Sequence, residues 1–304
     1  MASFNAHLMS FIIRNTLKRK LVKVKTLEEG RALMGSSLPR THRGLDITPW
    51  QINGMAGERI VQQGAMPRDT LLYLHGGGFF ACSPLTHRPI TTAFARLGFA
   101  VFVPDYRLAP EHPFPAGLQD VVDAYHALRS MTADPGRIVL AGDSAGGGLV
   151  ASLLLALKKE GAAMPAAAAL FSPFVDMSLS GATMQTNAQS CAMFYPQIFQ
   201  PVVDGYLQGA DVHDPLASPL FGELDGLPPL LIHVGADETL LDDARRFAQR
   251  AQAAGTDVVL QVWPVVPHVW QLLHKVIPEG QQSLELAAKF LHAKAEAAAD
   301  LALI

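Results

Sequence analysis

Two glycine-rich motifs and one late histidine carry the residues able to do chemistry. Gly142-Asp143-Ser144-Ala145-Gly146 follows the apolar, strand-like run Arg137–Ala141 and opens a helix-like stretch. That context suits a nucleophile elbow: small residues at a sharp turn let neighbouring elements pack close while a serine hydroxyl projects outward. The helix starting behind Ser144 brings backbone N–H groups and the positive end of its dipole to the same place. His75-Gly76-Gly77-Gly78 follows another strand-like run, Thr70–Leu74. Three glycines let the backbone turn its N–H groups toward a ligand oxygen, so the loop can stabilise an oxyanion together with the N–H of Ala145. The spacing is not G-x-G-x-x-G and no Gly-Lys-Ser/Thr is present, which disfavours a dinucleotide or phosphate site. His75 is expected to hold this loop rather than act as a base.

A serine nucleophile needs a base, and in this chain order the base comes late, after the last strands. Of eleven histidines, His268 stands in Pro267-His268-Val269-Trp270, just past the strand-like Val258–Trp263. His274 ranks below it, beside the next helix. His233 lies inside an apolar strand and reads as a core residue, and His7, His42, His126, His213 and His292 have no motif around them. The orienting acid belongs between Ser144 and His268, past the strand Leu230–Val234. Asp237 and Glu238 are both available there, and one of them is expected only to favour a helix N-terminus.

The elements that must position these groups form a regular alternation. Strands at Thr70–Leu74, Phe99–Val103, Arg137–Ala141, Ala167–Phe171, Leu230–Val234 and Val258–Trp263 are interleaved with helices at Pro89–Leu97, Ala116–Arg129, Gly146–Lys159, Leu241–Ala254 and Gln281–Ala298. Short, nearly all-apolar strands separated by helices predict an α/β fold with a mostly parallel sheet covered on both faces. Two regions break the pattern: residues 1–45 are helical without strand partners, and residues 173–228 form a long gap. Both are expected to build a helical cap over the carboxyl ends of the strands, leaving 46–304, interrupted by 173–228, as the core.

Composition narrows the classes. The 304 residues are 49% hydrophobic and 17% charged, with a net charge of −3, so neither disorder nor nucleic-acid binding is expected. No apolar run is long enough to span a bilayer. The apolar patch Phe11–Ile13 is short and is followed, not preceded, by Arg14, Lys18, Arg19, Lys20, Lys23 and Lys25, unlike a secretion signal. That basic run reads as a solvated helix face, with peripheral membrane attachment the weaker alternative. Cys82 and Cys191 make neither a CxxC pair nor a disulfide framework, which points to the cytoplasm.

Taken together, these residues resemble the hormone-sensitive-lipase-like family of esterases, which have the α/β-hydrolase fold. The resemblance rests on His75–Gly78, on Tyr106-Arg107-Leu108-Ala109-Pro110-Glu111-His112-Pro113-Phe114-Pro115-Ala116, on Gly142–Gly146 and on Pro267-His268, in the family's order. It covers roughly residues 70–290. It implies Ser144 as nucleophile, His268 as general base and the N–H groups of Gly77, Gly78 and Ala145 as oxyanion donors. The family's acid is usually the aspartate of Asp-Pro-Leu-x-Asp. Overlaid on Glu238-Thr239-Leu240-Leu241-Asp242, that pattern puts Glu238 in the acid's place, with Asp237 second. Cys82 departs from the family's usual glycine and could be thiol-sensitive, although plain packing is the simpler expectation. The implied activity is hydrolysis of short- to medium-chain acyl esters, small molecules, through a serine acyl-enzyme and without metal or organic cofactor. An amidase or peptidase with the same triad, and a non-catalytic ligand receptor on the same scaffold, are the rivals. A homodimer through an edge strand at Val258–Trp263 is a further implication.

Overall fold

A computed structural model describes residues 2–35 and 42–301 of the chain. Eight strands form one sheet: β1 (Leu45–Ile52), β2 (Met55–Gln62), β3 (Asp69–Leu74), β4 (Phe99–Pro104), β5 (Ile138–Asp143), β6 (Ala168–Phe171), β7 (Leu230–Gly235) and β8 (Val258–Trp263). Their order is β1-β2-β4-β3-β5-β6-β7-β8, parallel from β4 to β8, with β1 and β2 antiparallel at one edge. Every residue of β3 to β7 is buried, as expected for strands covered on both faces.

Alternate residues of each central strand serve two cores. Leu72 and Leu74 point into one, where α5 (Ala116–Met131), α6 (Ala145–Glu160) and α9 (Leu241–Ala253) pack; Leu71 and Tyr73 point into the other, under α4 (Pro84–Arg96) and α10 (Pro278–Leu301). The expected elements are all present, with shifted ends. Helix α4 starts five residues before Pro89, because Pro84 occupies its first turn and the Ser83 N–H donates to Thr86 Oγ1 at 3.0 Å.

The β1–β2 hairpin was not part of the expected alternation. Its turn is Asn53-Gly54, both at positive φ (50° and 87°), between the paired Ile52 and Met55. An Asn-Gly turn flanked by strand-like runs is the sequence signal that identifies it.

Ahead of the sheet come α1 (Phe4–Asn15), α2 (Leu17–Leu21) and α3 (Leu27–Met34). Ser3 caps α1, accepting the Ala6 N–H, and itself donates from N and Oγ to the Glu279 carboxylate at 2.5 and 2.9 Å. The 173–228 segment adds α7 (Thr183–Thr186) and α8 (Phe199–Leu207). Of the expected N-terminal segment 1–45, Met1 and residues 36–41 lie outside the described residues.

The basic run is not wholly a solvated face. Lys18 is 1% exposed. Its ammonium donates to the carbonyls of Ala188 (2.8 Å) and Cys191 (2.7 Å) and lies 3.7 Å over the Tyr195 ring. Burial draws its pKa below the ordinary lysine value. Lys18 therefore ties the N-terminal helices to the 173–228 segment.

Candidate active site

Ser144 sits between β5 and α6 at φ 52°, ψ −122°, a conformation that costs a non-glycine residue about 1–3 kcal/mol. Tertiary contacts hold it there. Its N–H donates to the Phe171 carbonyl (2.8 Å), and its own carbonyl accepts from Phe174 (3.0 Å). Gly146 is required by close approach: a Cβ would stand 2.1 Å from the Leu74 carbonyl oxygen.

His268, 5% exposed, follows β8 as the chain order predicted. Its Nδ1 donates to Glu238 Oε2 at 2.5 Å. Glu238 is 2% exposed, and its other oxygen accepts from Ser172 Oγ and the Gly235 N–H, both at 2.7 Å. That carboxylate is fully engaged in aiming one ring nitrogen. Asp237, by contrast, is only half-buried. With Nδ1 as donor, Nε2 is the basic nitrogen. It is buried without a partner, and His268 and Ser144 line the same cavity. The Phe194 ring meets the imidazole edge-on at 4.8 Å.

The glycine loop is braced from below. Gly77 has φ +120°, and a Cβ on it would fall 2.1 Å from the Ala81 carbonyl oxygen, so only glycine fits. Asp143, fully buried, accepts the Gly76 N–H (3.1 Å) and the Tyr73 hydroxyl (2.6 Å) on one oxygen and His87 Nε2 (3.2 Å) on the other. Burial opposes its charge, but His87 and the Tyr73 hydroxyl outweigh burial and hold the carboxyl below its ordinary range. His75 donates from Nδ1 to the Gly76 carbonyl (2.7 Å) and stacks on Tyr106 at 4.3 Å. Burial, then neighbouring His87, pulls it down to about 3, so it is a neutral structural histidine at neutral pH. Tyr106 also donates to the His75 carbonyl (2.6 Å), and Ala109 N–H donates to Phe79 (2.9 Å). The long Tyr106–Ala116 stretch thus buttresses the loop.

Arg31 of α3 completes the bracing. It donates to the carbonyls of Phe80 (2.7 Å) and Ala109 (2.8 Å) and forks onto Glu111. Arg31, Asp143, His87 and Ser172 were given no role by sequence. Asp143 lay inside the elbow motif, but its partners Tyr73, Gly76 and His87 are 56 or more positions away, and Glu238 lies 66 positions beyond Ser172.

Over these groups lies a cavity of about 400 Å³. Its walls combine Leu17, Leu21, Leu33 and Met34 from the N-terminal helices with Phe194 and Phe199 from the 173–228 segment, above Gly77, Gly78, Ser144 and His268. Cys82 also lines it, with burial pushing its thiol up to about 12.

A family model described as the alpha/beta hydrolase fold matches residues 71–272. An acetyl-hydrolase of Streptomyces hygroscopicus is 45% identical over 223 residues, 73% of this chain and 75% of that protein. An esterase of Acinetobacter venetianus is 36% identical over 249 residues, 81% of this chain and 82% of that protein. Among solved structures, an esterase of the bacterial hormone-sensitive lipase family superposes with a TM-score of 0.90 at 40% identity, over 97% of this chain and 99% of the other. EstE5, soaked with p-nitrophenyl butyrate, gives a TM-score of 0.92 at 36% identity, over 97% and 100%.

Proposed function

The chain belongs to the hormone-sensitive-lipase-like esterases of the α/β-hydrolase fold and is a carboxylic ester hydrolase, and from that premise we propose that Ser144, His268 and Glu238 carry out the reaction. His268 Nε2 takes the Ser144 hydroxyl proton as Oγ attacks the ester carbonyl carbon. The N–H groups of Gly77, Gly78 and Ala145 receive the developing oxyanion; losing one donor from such a hole typically costs about 3–4 kcal/mol in the barrier. As the carbon–alkoxy bond breaks, Nε2 returns its proton to the leaving alcohol, and an acyl-enzyme remains. Water, deprotonated by the same nitrogen, then attacks the acyl carbon; the bond to Ser144 Oγ breaks, Oγ takes the proton back from Nε2, and the carboxylic acid leaves. Glu238 holds the imidazole in the tautomer this needs and stabilises its cation.

One observation carries the reading: Nδ1 is committed to Glu238 while buried Nε2 is unpartnered in a cavity it shares with Ser144. The test is release of p-nitrophenol from acyl esters by wild type and Ser144→Ala. We expect turnover on butyrate, falling toward palmitate as the cavity fills, and none in the variant, with an unchanged circular dichroism spectrum. Turnover by Ser144→Ala at the wild-type rate overturns the assignment.

We read residues 1–45 and 173–228 as two parts of one cap over the core, supported by the Lys18 and Arg14 bonds that join them and by the walls they share. We further infer a cytoplasmic enzyme, on the strength of two free cysteines, and a homodimer through β8. That edge strand exposes Val259 and Val262, at 39% and 38%. A monomer mass by light scattering at micromolar concentration removes the dimer.

A further inference from the structure

Helix α1 leaves a row of large apolar side chains uncovered. Phe4 is 76% exposed, Phe11 64%, Leu8 42% and Ile12 40%. Positions 4, 8, 11 and 12 share one face of a helix, and Ala6, Ser10 and Ile13 are buried on the other. The chain then runs directly into Arg19, Lys20, Lys23 and Lys25, all exposed. Charge is segregated along the sequence: the first 25 residues hold six of the 24 basic residues, and all 27 acidic residues come later.

This segment also reaches the active-site cavity. Val22, 41% exposed, and the exposed Lys25 both face solvent and line the cavity that holds Ser144. The cationic stretch therefore stands at the cavity's rim.

We propose that α1 and the Arg19–Lys25 stretch dock the protein on an anionic lipid bilayer surface, the apolar row entering the headgroup boundary and the cations meeting lipid phosphates. An apolar helix face beside the exposed cations Arg19, Lys20 and Lys23, with Glu28 and Glu29 entering only after Lys25, whose N–H donates to the Glu29 carboxylate, has the charge and shape for such a surface. A second copy of the chain is a poorer occupant, because a twofold contact would set this band against itself. Docked this way, the rim opens onto the layer in which sparingly soluble esters dissolve. That orientation rests on the esterase reading; the binding does not.

The experiment sediments the full chain with vesicles of equal parts phosphatidylglycerol and phosphatidylcholine, and with phosphatidylcholine alone. Expected is binding to the anionic vesicles, loss at high salt, and affinity about tenfold or more weaker in both Phe4→Ser/Leu8→Ser/Phe11→Ser and Arg19→Gln/Lys20→Gln/Lys23→Gln. Hydrolysis of soluble p-nitrophenyl butyrate is expected to stay at the wild-type rate in both variants, which shows that they fold. Absence of binding to anionic vesicles, or equal binding to both kinds, overturns the proposal. A dimer that the apolar variant disperses, without vesicle binding, assigns the face to a second copy instead. Vesicle binding without ester turnover by wild type counts against the esterase reading and leaves the docking intact.

Discussion

At the scale of single residues, Glu238 shows why neighbouring carboxylates are not equivalent. Its Oε1 is held by Ser172 and the Gly235 N–H, and only then is Oε2 aimed at His268. Glu238→Gln should lower kcat by about 10⁴, because an amide offers the wrong partner to Nδ1–H. Asp237→Asn should leave kcat within about twofold, as for a surface change away from such features. Steady-state kinetics on p-nitrophenyl butyrate checks both. Cys82 gives a second test. A thiol pushed up to about 12 by burial stays protonated at neutral pH. Iodoacetamide at pH 8 should therefore leave activity intact, and Cys82→Ser should behave the same way. Candidate residues Ser144, His268 and the glycine loop were legible in the sequence because their motifs are local, whereas Asp237 and Glu238 were both available locally and only the family resemblance put Glu238 first. Ser172 and Asp143 were not assigned roles, since each works through a partner brought in by the fold.

Among the elements, the central strands and their helices announced themselves by uninterrupted apolar runs. The β1–β2 hairpin did not, because its exposed face mixes charged and polar residues and it lies outside the parallel alternation. Lysine 18 was equally hidden: within a basic run, nothing local distinguishes one buried ammonium from its solvated neighbours. Lys18→Met keeps most of the stem but strips two carbonyls, Ala188 and Cys191, of their donor. That change should cost about 2 kcal/mol of unfolding free energy in urea titrations. Arg31→Ala should leave the fold intact but slacken the loop at Phe80, lowering kcat more than it raises KM.

For the whole molecule, two buried histidines weaken the fold toward acid. His75 and His233 are both drawn down to about 3 by burial, from an ordinary 6.5. Between those values the unfolded chain binds protons that the folded chain refuses. The contribution of each histidine is therefore full above about pH 6.5 and is lost as pH drops toward 3, by at most about 1.4 kcal/mol per pH unit, while Asp243, raised by burial to about 8, works in the opposite direction as pH climbs toward that value. In His233→Gln, which can keep a bond to Ser283, the slope of unfolding free energy against pH in that window should be shallower.

The Ser3–Glu279 bond joins positions 276 apart in the sequence. On a ribosome, α1 is made long before Glu279 and Val276, which accepts from Asn5, are available to complete its seat. The nascent chain thus spends most of its translation with Ala6, on the inward face of α1, still without Trp263, Val266, Trp270 and Ile277, the cluster it joins in the finished fold.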